Sequence, residues 1–208
     1  MASVMTSVWE KTDNEFLRTA IPFYLRSKEE IFPLPKLRIL DATFGLGVFW
    51  KDSYPKEWTV YGMDADKTKR PTLYGDNRSI PVRGNIFDVV IYDPPYVTHG
   101  WSKWDESYRY GSAEGYGSIS YLFPSFLDEA ERVLRTGGIV IAKLANQIHS
   151  GRFFDQVCEF KVMAQTQFTL CNEVIKIRSA ARPQPAGRRQ LHAEQRHSYY
   201  VILRKGAC

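Results

Sequence analysis

Four residues that could do chemistry follow a hydrophobic stretch near the middle of the chain: Asp93, Pro94, Pro95 and Tyr96. The preceding residues 89–92 are β-branched or aromatic, which predicts a strand buried on both faces. Proline has no N–H for a β-ladder, so the two prolines end this strand and make the turn after it stiff. The pattern therefore holds a carboxylate and a phenol at a strand end. A strand terminator without any chemical role is the alternative interpretation.

This Asp-Pro-Pro-Tyr turn resembles motif IV of the class I S-adenosylmethionine-dependent amino-methyltransferases, and in particular of the DNA adenine-N6 methyltransferases. The resemblance implies methyl transfer to an exocyclic base amine, which is a poor nucleophile because its lone pair is delocalised into the ring. Acceptors around its N–H groups draw it toward tetrahedral geometry. The Asp93 carboxylate and the Pro94 carbonyl would each accept one hydrogen bond. Pro95 would help to hold them still, and Tyr96 would offer a stacking face for the extruded base.

A second strand and turn lie earlier in the chain, where residues 37–40 are followed by a glycine-bearing turn at 41–47. A strand, such a turn and then a helix form the first unit of a nucleotide-binding α/β domain. The turn resembles motif I of class I methyltransferases, which implies that Asp41 lies near the amino group of the methionine part. Where the amino-methyltransferases usually have Phe, two residues after the Asp, this chain has Thr43. The predicted cofactor loop comprises Asp41, Ala42, Thr43, Phe44, Gly45 and Gly47.

Two further acidic turns complete the predicted cofactor site. Asp64 ends the second predicted strand, followed by Ala65, and an acid there can accept both ribose hydroxyls of an adenosine. That contact alone suits S-adenosylmethionine or NAD. Asp66 is expected to cap a helix instead. The resemblance places Asp76 against the adenine amine of the cofactor with Asn77 beside it, although Gly-Asp-Asn is also ordinary turn chemistry.

Two segments are candidates for contacting the substrate. Residues 97–119 are rich in aromatic residues and glycine, which favours a lid that closes over the target base; a loop packed on its own rings is the alternative. Residues 178–197 are rich in arginine and suit phosphate contacts, or are a solvated surface loop. The candidate substrate-binding residues are His99, Trp101 and Trp104 in the lid and Arg182, Arg188 and Arg189 in the arm.

The order of the predicted elements indicates the fold. At 208 residues and 44% hydrophobic content, the chain fits one methyltransferase domain, residues 1–208, with an N-terminal helical cap over residues 1–36. Alternating strands and helices predict a Rossmann-like α/β fold of the class I methyltransferase type, with a mostly parallel seven-stranded sheet. The strands expected at 168–177 and 198–203 have a non-helical connection, which predicts an antiparallel hairpin at the sheet edge.

Composition limits the partners and the compartment. A net charge of +5 suits an anionic partner such as nucleic acid. No apolar run is long enough for a membrane span, and the N-terminus lacks a signal pattern, so we expect a cytoplasmic protein without a membrane partner. Three scattered cysteines are expected to be buried or free thiols of a reducing compartment. Histidine and cysteine spacings predict no metal site.

The sequence therefore favours a DNA adenine-N6 methyltransferase that uses S-adenosylmethionine. An RNA amino-methyltransferase and a catalytically silent nucleic-acid-binding subunit with the same fold remain alternatives. A nicotinamide-dependent dehydrogenase fits less well, because it gives the Asp-Pro-Pro-Tyr turn no role. The sequence does not indicate the oligomeric state.

Replacing Trp101 and Trp104 by Ala tests the predicted lid. We expect weaker nucleic-acid binding with cofactor binding spared, because bases stack on aromatic rings whereas the cofactor motifs lie elsewhere in the chain. Titration of a labelled oligonucleotide and of the cofactor measures both affinities. Unchanged oligonucleotide affinity would contradict the lid hypothesis.

Overall fold

An eight-stranded sheet forms the centre of the protein in the computed structural model, which describes residues 5–25, 36–95, 119–149, 151–178 and 192–207. The strands are β1 (Val8–Trp9), β2 (Leu37–Asp41), β3 (Trp58–Asp64), β4 (Leu73–Tyr74), β5 (Phe87–Tyr92), β6 (Leu134–Leu144), β7 (Gln147–His149), β8 (Arg152–Phe154), β9 (Thr169–Ile177) and β10 (His197–Arg204). The helices are α1 (Asp13–Leu25), α2 (Phe123–Val133) and α3 (Gln156–Ala164). Short 3-10 turns lie at Val48–Trp50, Lys67–Lys69 and Ser120–Leu122.

The strand order in the sheet is β1-β9-β10-β6-β5-β2-β3-β4, and β7 pairs with β8 in a separate ribbon. Strands β2 to β6 pair in parallel, whereas β10 is antiparallel to both β6 and β9. The predicted class I methyltransferase fold, with its mostly parallel sheet and antiparallel hairpin, is confirmed.

The sheet has eight strands where seven were expected, because the N-terminal segment adds β1. Val8 pairs in parallel with Ile175 of β9, and the Ile175 N–H donates to the Ser7 carbonyl at 2.8 Å. The hairpin of β9 and β10 is therefore not the outermost element. Two residues of β1 cover part of the β9 edge, whose N–H and C=O groups would otherwise lack partners in the sheet.

Strand β5 lies in the middle of the sheet and is buried along its whole length, as predicted. Val89 and Ile91 belong to the core that α1 covers on one face of the sheet. Val90 and Tyr92 belong to the core that α2 and α3 cover on the other face. The Tyr92 ring stacks on Phe126 of α2 with centroids 3.7 Å apart. Burial on both faces explains the absence of polar side chains along most of this strand.

Two helix boundaries differ from the prediction. The sequence predicts a helix over residues 120–135 that Gly137 and Gly138 end. Helix α2 instead ends at Val133, and β6 runs through both glycines. The ladder between β5 and β6 is irregular here, with Gly137 at φ +80°. The sequence also predicts a helix over residues 153–163. Helix α3 begins only at Gln156, because residues 152–154 pair with β7 and the Asp155 carboxylate accepts from the Cys158 N–H as the helix cap.

The cysteines follow the expectation in part. Cys158 is a free and exposed thiol. Cys171 on β9 forms a disulfide, so the prediction of buried or free thiols is wrong for this residue.

No helix within the described ranges has the length and apolar character needed to cross a membrane.

Candidate active site

A cavity of about 400 Å³ lies at the carboxyl ends of β2, β3 and β5. Ligands of open α/β sheets bind at this edge, and the volume is within the range of small-molecule sites. The predicted site residues that line the cavity are Ala42, Thr43, Phe44, Gly45, Asp64, Ala65, Asp76, Asn77, Asp93, Pro94 and Pro95. Motifs that are 50 residues apart in the chain thus share one site.

Asp64 ends β3 and is fixed by two backbone donors. Its Oδ2 accepts from the Gly45 N–H and its Oδ1 accepts from the Asp66 N–H, both at 2.8 Å. Each carboxylate oxygen retains a free acceptor position, because a carboxylate offers about four lone pairs. The two oxygens are therefore a fixed pair of acceptors on the cavity wall, suited to two neighbouring hydroxyls.

The cofactor loop has a left-handed backbone at Gly45 (φ +51°) and Gly47 (φ +63°), as glycine permits. The Phe44 ring turns inward onto Gly62 of β3. A Cβ atom at Gly62 would lie 2.2 Å from the ring, so only glycine leaves room for it. The helix expected after this loop is reduced to the 3-10 turn Val48–Trp50. This turn lies in the connection of 16 residues between β2 and β3.

Thr43 links the cofactor loop to the Asp-Pro-Pro turn. Its Oγ1 accepts from the Asp93 backbone N–H at 2.7 Å. The departure from the usual family pattern at this position, noted in the sequence, therefore supplies a hydroxyl that fixes the start of the neighbouring turn. A phenylalanine could not make this bond.

Asp41 does not border the cavity and is 1% exposed. The Trp50 indole N–H donates to its Oδ2 at 2.7 Å, and the Thr43 N–H donates to its Oδ1 at 3.2 Å. Burial raises the pKa of Asp41 to about 7 against these two bonds, and the nearby carboxylates of Asp93 and Asp64 add to the rise. Asp41 thus supports the loop from behind. Its predicted contact with a cofactor stays a prediction.

Asp76 accepts from the Arg78 guanidinium through both oxygens, with Nε–Oδ1 at 3.0 Å and Nη2–Oδ2 at 2.6 Å. This charge-assisted pair holds the pKa of Asp76 below its ordinary value. Asp76 is therefore an ionised acceptor in the cavity wall. Arg78 was not predicted as a site residue, and the sequence gives no sign that it would fold back two residues onto the acid.

The Asp-Pro-Pro turn places Asp93 on the cavity wall with a quarter of its side chain exposed. Its Oδ2 lies 3.8 Å from the Nζ atom of Lys143 near the end of β6. The apolar run of residues 139–144 predicts a buried strand of the scaffold, so Lys143 was not predicted as a site residue. The available signal was a charged residue inside the apolar run of residues 139–144.

The remaining predicted site residues form two groups. Gly47 does not line the cavity but turns the loop beside it. The other residues lie outside the described ranges and stay predictions: Tyr96, His99, Trp101, Trp104, Arg182, Arg188 and Arg189. The cavity wall also contains residues that were not predicted as site residues: Leu46, Val48, Phe49, Asp66, Lys69, Gly75, Arg78 and Leu122.

Leu46 and Val48 are notable among these unpredicted residues, because their side chains are 69% and 57% exposed beside the cavity. Large apolar side chains at the mouth of a pocket are suited to contact a planar apolar ligand surface. Within the described ranges, no group of three or more His, Cys, Asp and Glu side chains could hold a metal ion.

Comparisons with known proteins agree on the fold. No protein-family model matches the sequence, and no curated protein matches it. Many solved structures resemble the chain in fold, and three of them have TM-scores above 0.5 with methyltransferase or TrmN descriptions. A candidate sarcosine dimethylglycine methyltransferase from Galdieria sulphuraria has a TM-score of 0.58 at 12% identity, covering 92% of this chain and 84% of that one. A candidate rRNA methylase from Clostridium thermocellum has a TM-score of 0.53 at 14% identity, covering 98% and 99%.

The third is TrmN from Thermus thermophilus, with a TM-score of 0.51 at 17% identity, covering 82% of this chain. This chain spans 44% of the length of TrmN. At these identities the likeness concerns the fold: the protein has the Rossmann-like fold of class I methyltransferases.

The contact between Gly62 and Phe44 predicts a coupled effect on stability. Gly62→Ala should lower the free energy of unfolding by about 1–3 kcal/mol, because the added methyl group overlaps the ring. The same change in a Phe44→Ala background should cost much less, since the ring is gone. Chemical denaturation of the four proteins measures this cycle. Equal costs in both backgrounds would contradict the packing.

Asp41 predicts a dependence of stability on pH. Its folded-state pKa of about 7 exceeds the ordinary value of 3.8, so the folded protein holds a proton that the unfolded chain has lost. The free energy of unfolding should therefore fall as pH rises from about 4 to above 7, by on the order of 4 kcal/mol from this group.

Asp41→Asn cannot titrate and should lose less stability than wild type between pH 5 and pH 8. Urea denaturation at each pH measures the difference. The Asn side chain replaces the carboxyl group imperfectly, which should add a constant difference between the free energies of unfolding of the two proteins. The comparison therefore concerns how steeply the free energy of unfolding changes with pH in each protein. Parallel curves for the two proteins would show that Asp41 is ionised throughout.

Proposed function

We propose that this protein transfers a methyl group from S-adenosylmethionine to an exocyclic amine of a nucleic-acid base, with adenine N6 in DNA as the principal substrate. One observation carries the proposal. Asp64, an acid suited to ribose hydroxyls, and the Asp93–Pro94 turn, a pair of amine acceptors, line the same cavity. A donor nucleoside and an acceptor amine can therefore meet in one site.

The residues present fit the cofactor. Asp64 presents two fixed oxygens for the ribose hydroxyls. Asp76 and Asn77 provide polar groups for the adenine edge, and the exposed side chains of Leu46 and Val48 provide apolar surface beside them. When bound, S-adenosylmethionine supplies an electrophilic methyl group on a sulfonium. A nicotinamide cofactor would also use Asp64, but it leaves the Asp-Pro-Pro turn without a function.

Asp93 and Pro94 would act on the amine. The Asp93 carboxylate and the Pro94 carbonyl each accept an N–H, which draws the nitrogen lone pair out of conjugation with the ring. The carboxylate also stabilises the positive charge that develops on the nitrogen as the methyl group is transferred. Stiff prolines and the Thr43 hydroxyl on the Asp93 N–H keep these acceptors in place before the substrate arrives.

The choice between DNA and RNA rests on different observations. The Asp-Pro-Pro-Tyr turn and the order of the motifs favour adenine in DNA. The likeness in fold to the candidate rRNA methylase, over nearly the whole of both chains, favours RNA as the second candidate. The net charge of +5 is compatible with either polyanion.

The experiment that tests the proposal is transfer of radiolabelled methyl from S-adenosylmethionine to duplex DNA, single-stranded DNA and total RNA in parallel, followed by nucleoside mass spectrometry. We expect N6-methyladenine in DNA. Label only in RNA would keep the chemistry and change the substrate. Absence of label in all three, with cofactor bound, would refute catalysis and favour a silent subunit.

Asp93→Ala should lower kcat by about 10²–10³-fold, because an acceptor that stabilises the developing charge is lost. Tyr96→Ala should also lower transfer strongly, because it removes the stacking face predicted for the target base. Cofactor affinity should be largely retained in both variants, since Asp64 and the loop at residues 42–45 are unchanged. Asp52→Ala, at an exposed acid that does not line the cavity, is the control. Normal transfer by Asp93→Ala would show that the mechanism is wrong.

A further inference from the structure

We infer that Lys143 is a positioning residue for Asp93, and that Asp13 and Tyr200 hold this lysine in place. The inference rests on the proposed function for what Asp93 does. It concerns residues from three elements that no predicted motif includes: α1, β6 and β10. The observation behind it is a chain of polar contacts that ends at the carboxylate of the Asp-Pro-Pro turn.

Lys143 lies between two carboxylates and is largely buried, with 16% of its side chain exposed. Its Nζ is 2.7 Å from Asp13 Oδ2 and 3.8 Å from Asp93 Oδ2. The first contact is a direct charge-assisted hydrogen bond, and the second is a closely approaching ion pair. A lysine ammonium has three donors, so one group can serve both acids. The lysine thereby contacts Asp93 without itself lining the cavity.

Asp13 is fixed by contacts with two other elements of the fold, β6 and β10. It is the first residue of α1, and its second oxygen accepts from the Tyr200 hydroxyl on β10. The Tyr200 ring is buried and stacks on Phe16 of α1, with centroids 3.6 Å apart. Burial disfavours ionised Asp13, but the charge and hydrogen bond of Lys143, together with the Tyr200 hydroxyl, outweigh burial and lower its pKa.

The same end of α1 also contacts the 3-10 turn Val48–Trp50, which directly follows the cofactor loop. The buried Asn14 side chain donates to the Phe49 carbonyl at 2.8 Å. The Lys143 ammonium lies 5.2 Å from the centroid of the Phe49 ring, which lines the cavity. The start of α1 is therefore tied to the loop that would hold the methyl donor and, through Lys143, to the acid that would hold the amine. This arrangement fixes the two reacting sides relative to each other.

A buried ion pair adds little to stability, because the cost of desolvating both charges offsets most of their attraction. What such a pair gives is a defined position, and a catalytic acceptor must be held within a fraction of an ångström of its productive geometry. Removing the lysine would leave the carboxylates of Asp93 and Asp13 without the cation that lies between them. The lysine is thus suited to positioning.

Lys143→Met tests the inference with steady-state kinetics of methyl transfer. We expect kcat to fall by about 10–100-fold, as for the loss of a group that positions a catalytic residue. The KM for nucleic acid and the Kd for S-adenosylmethionine should stay within about twofold of wild type, because Lys143 does not line the cavity. Lys143→Arg, which keeps the charge, should recover part of the loss.

Lys161→Met is the matched control. Lys161 forms a similar ion pair with Glu173 at 2.6 Å, between α3 and β9, and neither residue lines the cavity. This variant should retain wild-type kcat. A Lys143→Met enzyme with wild-type kcat would overturn the inference. So would a variant whose cofactor affinity and unfolding temperature fall together with kcat, because the role would then be structural.

Crystal structures of wild type and Lys143→Met give a readout that needs no turnover. We expect the Asp93 carboxylate to move or to lose its single orientation, while the Thr43 contact to the Asp93 N–H persists. An unchanged Asp93 side chain would overturn the inference whatever the kinetics. If wild-type protein transfers no methyl group, the proposed function falls, and these structures still decide whether Lys143 positions Asp93.

Discussion

The parallel pairing of β2 with β5 is the constraint on which the rest of the site depends. Their ladder matches Leu40 with Val90 and Asp41 with Ile91. The same register continues beyond the strands, since the Ala42 N–H donates to the Ile91 carbonyl and Thr43 accepts from the next turn. A shift of one residue would turn every side chain of β5 to the opposite face. Burial of β5 on both faces therefore fixes the position of the cofactor loop after β2 relative to the Asp-Pro-Pro turn after β5.

Four acids at or behind the cavity have different hydrogen-bonding or ionic partners. Asp64 accepts from backbone N–H groups, Asp76 from a guanidinium, and Asp93 lies beside an ammonium. Asp41 is bound by an indole and a backbone N–H without a cation, and it has a pKa raised to about 7. Asp41 differs from the carboxylates that line the cavity in its nearly complete burial, which raises its pKa.

The sequence was sufficient where the determining pattern is local. An apolar run ended by two prolines predicted β5 and its turn, and acids at strand ends predicted Asp64 on the cavity wall. These predictions succeed because strand periodicity and the positions of strand ends are visible in neighbouring residues. The antiparallel strand pair was predicted from a connection whose sequence has no helical pattern, and the structure confirms the pairing.

The sequence was insufficient where the determining contact is distant. Lys143 and Asp13 are 130 positions apart, so no spacing rule pairs them. Asp41 points away from the cavity because Trp50 folds back over it, and this depends on a short 3-10 turn in place of a full helix. Strand β1 exists only because β9 offers an open edge. Such features come from tertiary packing, which a local pattern does not contain.

The position of β10 has a consequence for how the chain reaches its native state. This strand follows β9 in sequence yet lies between β9 and β6, so the two sides of the sheet are joined only by its insertion. Until β10 (His197–Arg204) is in place, the two edges of β6 and β9 that face it have no partner. Insertion of β10 also delivers Tyr200 to Asp13. The polar contacts behind Asp93 are therefore completed only when β10 pairs with β6, the same pairing that closes the sheet.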